Sequence, residues 1–268
     1  MATNRITFGD LPSSVLTAVE KMAGLVLKVE PVSQGFNSEI AARVFTDSGS
    51  CFVKGLRSDH RWVWTQRREA EVNPFLSGIA PTLLWRIEEA GWVLLGFENL
   101  KGHHADYTTG SPDLPKVASL LRRLGEVTCP EIQLRQAEQR LEAYAAKPSD
   151  LDHFTGNSLL HTDLNDHNVI VDGSAYLVDW AWATRGAAWL DAGYWVVWLM
   201  AAGKHKPASA EQWACEIPAW RAAPKDGITA FAQATANLWE EISGDTPDAW
   251  TARMLNASRN WLDFRQSI

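Results

Sequence analysis

The sequence has little cysteine and no usable spacing for it: Cys51, Cys129 and Cys215 are odd in number, far apart, and form none of the close doublets of zinc sites. A disulfide framework and a cysteine-held zinc are thereby excluded, and free thiols in a reducing compartment are expected. Long apolar runs are missing too. The longest, Ala187 to Ala202, is about 16 residues, is interrupted by Asp191, and falls short of the ~20 that cross a bilayer. It reads as a buried helix, and no membrane partner is expected. The N-terminal stretch has neither a basic start leading into an apolar run nor a small-residue cleavage site, which points to the cytoplasm. Positive charge is short: 25 Lys and Arg stand against 32 Asp and Glu, a net charge of −7. That balance repels phosphate backbones, so nucleic acid is not an expected partner. Internal repeats and low-complexity tracts are absent.

What the chain does have is enough material for one large domain or two small ones. Its 268 residues are 46% hydrophobic and 21% charged, close to ordinary globular proportions. Fourteen tryptophans exceed ordinary usage, and Trp62, Trp85, Trp92, Trp195 and Trp198 lie on apolar faces that suit a core. Trp180, Trp182 and Trp189 also read as packing residues, with stacking on a flat or sugar-like molecule as the second role.

The front of the chain reads as strands. A helix over residues 11–22 is followed by two or three short β runs up to Leu56, broken at Gln34 to Asn37 and Asp47 to Gly49. A helix then carries Val63, Arg67 and Ala70 and stops at Asn73-Pro74. TLLWRIEE and GWVLLGF, split by Ala90-Gly91, form a hairpin that completes an antiparallel sheet with a helix on one side. Beyond it the pattern turns helical, including KVASLLRRLGEV and EIQLRQAEQRLEAYAA. One compact exception is SLLHTDLNDHNVIVDGSAYLVDWAWA, in which VIV and AYLV are short strands joined at Asp172-Gly173. The expected fold class is α+β in two lobes: residues 1–97 as an antiparallel-sheet nucleotide-binding lobe, and 98–268 as a mainly helical lobe with a catalytic loop and acceptor site. A cleft is expected between them. The acidic excess lies at the back, since residues 1–98 hold 10 basic and 11 acidic side chains and the remainder 15 and 21.

The sharpest constellation is His161, Asp163, Asn168 and Asp179, written HTDLNDHN, then a hairpin, then LVDW. Phosphoryl transfer needs a carboxylate near the attacking hydroxyl, hard oxygens for Mg²⁺, and a cation on the nucleotide phosphates. Asp163 fits the first role, and Asn168 and Asp179 fit the second. Lys54, closing the strand CFVK, supplies the cation. Glu69 or Glu71 on the next helix would hold it extended, with Glu69 preferred. The turn from Ser33 to Ser38, with Gly35 at its centre, offers backbone N–H groups to phosphate.

This ordered set resembles the aminoglycoside phosphotransferase family, small-molecule kinases similar in fold to protein kinases. The matching motifs are FVK, REAE, FENLKG, HTDLNDHN, LVDW and GAAWLDAGYW, in order from about Val32 to Asp191. The resemblance implies a donor nucleotide, ATP or GTP, and Mg²⁺, with the purine held by the linker backbone at Glu98 and Leu100. It also implies a small hydroxylated acceptor, antibiotic-like or amino-sugar, or in a metabolic variant choline, homoserine or a sugar. Asp106, Asp113, Asp166, Glu240, Glu241 and Asp263 read as a solvated acidic surface, and any of them that face the cleft would favour a cationic acceptor. The sequence departs from the pattern at Thr162, where many relatives have glycine. It also lacks a Gly-x-Gly-x-x-Gly loop and an Ala-Pro-Glu landmark, which removes a protein substrate from consideration.

Other readings attach to the same residues. His161 reads first as a structural hydrogen-bonder, and Asp191 as a helix cap or an anchor for the loop. His161, Asp163 and His167 together would suit the metal of a hydrolase, an arrangement that leaves Lys54 without a role. His103-His104 reads as a solvated loop. A catalytically silent module that binds nucleotide without transferring phosphate is the alternative from outside enzymology.

Overall fold

The computed structural model describes residues 5–32 and 38–268. The chain divides into two compact units: residues 1–102 with 178–181, and 103–177 with 182–268.

The first unit is built on a five-stranded antiparallel sheet. Helix α1 (Ser13–Ala23) precedes strands β1 (Val26–Pro31), β2 (Ile40–Thr46) and β3 (Gly49–Arg57). Helix α2 (Val63–Val72) and the hairpin β4 (Leu83–Glu89) and β5 (Trp92–Glu98) follow, and the spatial order is β1-β2-β3-β5-β4. Side chains alternate across a strand, so each face of the sheet gathers its own cluster. Val15 and Val19, one turn apart on α1, pack with Ile40, Ala42, Val44, Cys51, Val53, Trp85 and Leu94. On the other face Ala70 of α2 packs with Leu95 and Phe97, and Phe52 and Leu83 lie against them. The sheet is thus covered on both faces, where the sequence led us to expect a helix on one. That explains why β5 is buried from Trp92 to Phe97 with no polar alternation. Gly96 has no room for a side chain, because a Cβ there would overlap the Trp85 ring.

The second unit is mainly helical, with two small three-stranded sheets. Its strands are β6 (His103–His104), β7 (Arg135–Gln136), β8 (Ser158–Leu160), β9 (Val169–Asp172), β10 (Ser174–Leu177) and β11 (Thr184–Gly186). They form sheets of order β10-β9-β6 and β7-β11-β8. Its helices are α3 (Leu114–Leu124), α4 (Ala137–Leu141), α5 (Leu190–Ala201), α6 (Pro207–Ala214), α7 (Pro218–Arg221), α8 (Lys225–Ser243) and α9 (Ala249–Gln266). Helix α3 shows the physical basis plainly. Leu114, Val117, Ala118, Leu121 and Leu124 form one buried stripe, Pro115 sits in the first turn, and Arg122 and Arg123 lie in the last, where the helix dipole favours cations. Asp248 opens α9 by accepting from the N–H groups of Trp250 and Thr251. Helix α5 is the apolar run interrupted by Asp191, buried nearly all round. Among the described residues no helix is long and apolar enough to cross a membrane.

Three expectations are corrected. The continuous helix expected over EIQLRQAEQRLEAYAA is broken: Arg135 and Gln136 pair in parallel with Thr184 and Arg185 of β11, which leaves five residues for α4 and a single 3-10 turn after it. His103 and His104 form a short strand and not a loop, with His103 exposed as expected and His104 half-buried. They pair with Val171 and Ile170 of β9, and the His103 ring meets the Asp113 carboxylate at 2.9 Å. Trp62 is only half-buried, whereas Trp85, Trp92, Trp195 and Trp198 are core, as are Trp180 and Trp189.

Candidate active site

The alternation of β3 decides where Lys54 goes. Cys51 and Val53 face the α1 side, so Lys54 shares the opposite face with Phe52, and its ammonium lies 5.8 Å from the Phe97 ring centroid. Helix α2 buries Thr65, Gln66, Glu69, Ala70 and Val72 against the same side. This brings the Glu69 carboxylate into an ion pair with Lys54 Nζ. Asp179 Oδ1 approaches the same ammonium at 3.4 Å, and Glu69 also accepts from the Trp180 backbone N–H. Lys54 and Glu69 are almost sealed, with residue exposures of 9% and 4%, while the Asp179 side chain is about a third exposed. Burial by itself would lower the pKa of the Lys54 ammonium, but Glu69 and Asp179 outweigh it and hold it above the ordinary value. Burial pushes the Glu69 carboxyl up, and the nearby Asp179 adds to the shift against the pull of Lys54.

Asp179 has φ 64°, a left-handed conformation. A non-glycine residue there costs on the order of 1–3 kcal/mol, least for Asp and Asn, and surrounding contacts must hold it. Here the contact with Lys54 on one side and the Trp180 N–H bonded to Glu69 on the other do so.

In the second unit, Asp163 and Asn168 are brought together by a tight turn. The Asn165 side chain accepts from His167 N at 3.0 Å and caps a 3-10 turn over Asp166–Asn168. That turn returns Asn168 to Asp163: its Nδ2 donates to Asp163 Oδ2 at 2.9 Å and to Asp163 O at 3.2 Å. The amide nitrogen is thus spent on Asp163, and the carbonyl oxygen of Asn168 is the atom left for a ligand. Asp191 lies buried and receives the backbone N–H groups of His161 and Thr162, each at 2.8 Å. Of the two roles expected for Asp191, the loop anchor is the one this geometry shows. Burial raises its carboxyl to about 6, and the two N–H groups and Arg140 hold it back from going higher. The His161 ring is fully buried and its Nδ1 accepts from Asp163 N at 3.2 Å, a structural hydrogen bond as expected.

His161 is therefore no accessible metal ligand, and His167 instead lies exposed with its ring edge toward His104. Among the described residues, no group of three or more His, Cys, Asp or Glu is arranged to hold a metal. Glu98, exposed at the end of β5, donates its N–H to Thr82 O, and Leu100 is half-buried just beyond it. Gly35 lies outside the described residues. Sequence reading missed Arg140, Thr184 and Tyr107, which brace the Asp163 loop. Arg140 binds the Thr162 and Thr184 hydroxyls, and Tyr107 donates its hydroxyl to Leu164 O at 3.0 Å. No local pattern marks them, because their partners lie 22 to 57 residues away.

No protein-family model matches the chain, and no curated protein matches it in sequence. Solved structures do. Choline kinase LicA from Streptococcus pneumoniae superposes with a TM-score of 0.64 at 15% identity, covering 93% of this chain and 98% of that one. An aminoglycoside phosphotransferase from Alicyclobacillus acidocaldarius gives 0.60 at 14% identity, covering 96% and 93%. A thermostable mutant of aminoglycoside phosphotransferase APH(4)-Ia, in a ternary complex with ADP and hygromycin B, gives 0.57 at 13% identity, covering 93% and 99%. The chain has the α+β fold of these small-molecule kinase structures.

Proposed function

We propose that the protein transfers the γ-phosphate of ATP or GTP to a hydroxyl group of a small molecule. The observation that carries this reading is the buried cluster of Lys54, Glu69 and Asp179, three residues far apart in sequence, on a fold shared with phosphotransferases. A lysine sealed between two carboxylates is costly to build for stability alone, since replacing such groups with apolar ones is often neutral or better. It is economical as a phosphate-steadying cation held extended for use.

In this reading the backbone at Glu98 and Leu100 receives the purine. Lys54 steadies the phosphates, and Glu69 orients Lys54. Asn168 and Asp179 would hold Mg²⁺: each offers a carbonyl or carboxylate oxygen, the hard donor that this ion prefers. When bound, the ion neutralises charge on the phosphate oxygens. Asp163 orients the acceptor hydroxyl and takes its proton as the oxygen bonds to the γ-phosphorus and the bond to the β-phosphate oxygen breaks, releasing the nucleoside diphosphate. The Asn168 amide fixes the Asp163 carboxylate for that step.

For the acceptor we favour an amino-sugar or aminoglycoside-like antibiotic, consistent with the acidic back of the chain and with a fold neighbour that holds hygromycin B. The likeness to a choline kinase favours a second reading, a metabolic kinase acting on a small hydroxylated cation. A nucleotide-dependent reaction of this kind belongs in the cytoplasm, and the same reading makes no use of nucleic acid or membrane. The deciding experiment incubates the protein with Mg²⁺ and γ-labelled ATP or GTP over a panel of aminoglycosides, choline, homoserine and sugars. Label in one acceptor class confirms transfer and names the substrate. Tight nucleotide binding with no labelled product across the panel refutes it in favour of a silent binding module.

A further inference from the structure

Thr162 stands between His161 and Asp163 with φ 68°, in the left-handed region. A β-branched residue is among the least suited to that conformation, and glycine among the best. Two sets of contacts hold Thr162 there. Asp191 takes its backbone N–H at 2.8 Å. Its hydroxyl is gripped by Arg140, whose Nη1 donates to Thr162 Oγ1 at 2.7 Å, to Thr184 Oγ1 at 2.6 Å and to Trp182 O at 3.3 Å. Both threonine hydroxyls turn their own hydrogens to that same Trp182 carbonyl, at 3.2 Å from Thr162 and 2.7 Å from Thr184. The guanidinium also lies 5.9 Å from the Trp182 ring centroid, and Arg135 lies 5.0 Å from the same ring. All the groups in this knot belong to the second unit.

We infer that Arg140 is a positioning residue for Asp163. By gripping the Thr162 hydroxyl it holds the left-handed turn that aims the Asp163 carboxylate, a task that glycine at the same position would perform without help. The hydroxyl of Thr162 is what gives an arginine from a distant short helix its purchase on the loop. The catalytic consequence rests on the phosphotransferase reading, and the conformational one stands on the geometry alone.

The test is a cycle of R140M, T162G and R140M/T162G, with T184V as a variant that removes only the second arm of the grip. In steady-state transfer, R140M lowers kcat roughly 10- to 100-fold, the range expected for a displaced catalytic group, with nucleotide KM within about twofold. In the T162G background the same change costs less than about threefold, because glycine needs no hydroxyl to stay left-handed. R140K, which keeps a cation and donors one bond shorter, restores part of kcat. The second readout needs no substrate: amide exchange at Thr162 and Asp163 rises about tenfold or more in R140M and T184V, and R140M adds little to it in T162G. An unchanged kcat in R140M, an equal loss in both backgrounds, or unaltered exchange overturns the proposal. Should R140M fail to fold, R140K and T184V carry the same comparison. Should the wild-type protein transfer phosphate to nothing, the proposed function falls while the exchange cycle still decides the role of Arg140.

Discussion

Removing the Lys54 ammonium tests the buried cluster most directly. In Lys54→Met the Glu69 carboxylate, in a residue only 4% exposed, loses its ion-pair partner while Asp179 remains nearby with the same sign of charge. Breaking a buried pair from one side costs about 3–5 kcal/mol, because the surviving charge is neither solvated nor compensated. At ~2–4 °C per kcal/mol for a chain of this size, the midpoint of thermal unfolding should fall by roughly 6–20 °C. Glu69 has one escape, which is to take a proton, and its carboxyl is already raised by burial. The pH dependence therefore has a fixed sign. The folded variant binds the Glu69 proton more tightly than the unfolded chain does, so stability is greatest at low pH and is lost as pH rises through the raised value. Denaturation of Lys54→Met, Glu69→Gln and the double variant at pH 6 and pH 8 supplies the measurement. The single lysine change should cost more at pH 8 than at pH 6, and adding Glu69→Gln should recover about 2 kcal/mol or more. A loss under about 1 kcal/mol at pH 8, equal at both pH values and unrelieved by the second change, would refute the reasoning.

Further outcomes follow from the same contacts. Asp163→Ala should lower turnover by roughly 10² to 10⁴ with nucleotide affinity retained, read by steady-state kinetics alongside nucleotide titration. Asn168→Ala removes both the amide that holds Asp163 and an oxygen proposed for Mg²⁺. It should raise the Mg²⁺ concentration needed for half-maximal transfer by about tenfold or more, and an unchanged Mg²⁺ dependence would remove Asn168 from that role. Asp191, raised to about 6 in the fold, favours its neutral form relative to the unfolded chain. Its contribution is full below the unfolded pKa and is lost as pH climbs to about 6, a swing of about 3 kcal/mol. Asp191→Asn should flatten the pH–stability curve over that window, and a slope identical to wild type would contradict the assignment.

The sequence by itself determined the parts whose information is local or periodic. Alternation of side chains over CFVK put Lys54 on one face of a strand, and the helix after it offered Glu69 and Glu71 as partners, of which the fold buries Glu69. The motif HTDLNDHN kept Asp163 and Asn168 within one short loop, and the structure closes that loop as a 3-10 turn. Tertiary structure decided what depends on partners remote in the chain. Parallel pairing of Arg135 and Gln136 with β11 overrode the helical pattern around them, because a backbone satisfied in a sheet has no need of a helix. The same fold brought Arg140 across 22 residues to the hydroxyl of Thr162 and made a tolerable turn out of a residue that local preference disfavours. Local preferences are worth a fraction of a kcal/mol per residue, and a long-range contact that saves a buried polar group from going unpaired outweighs them.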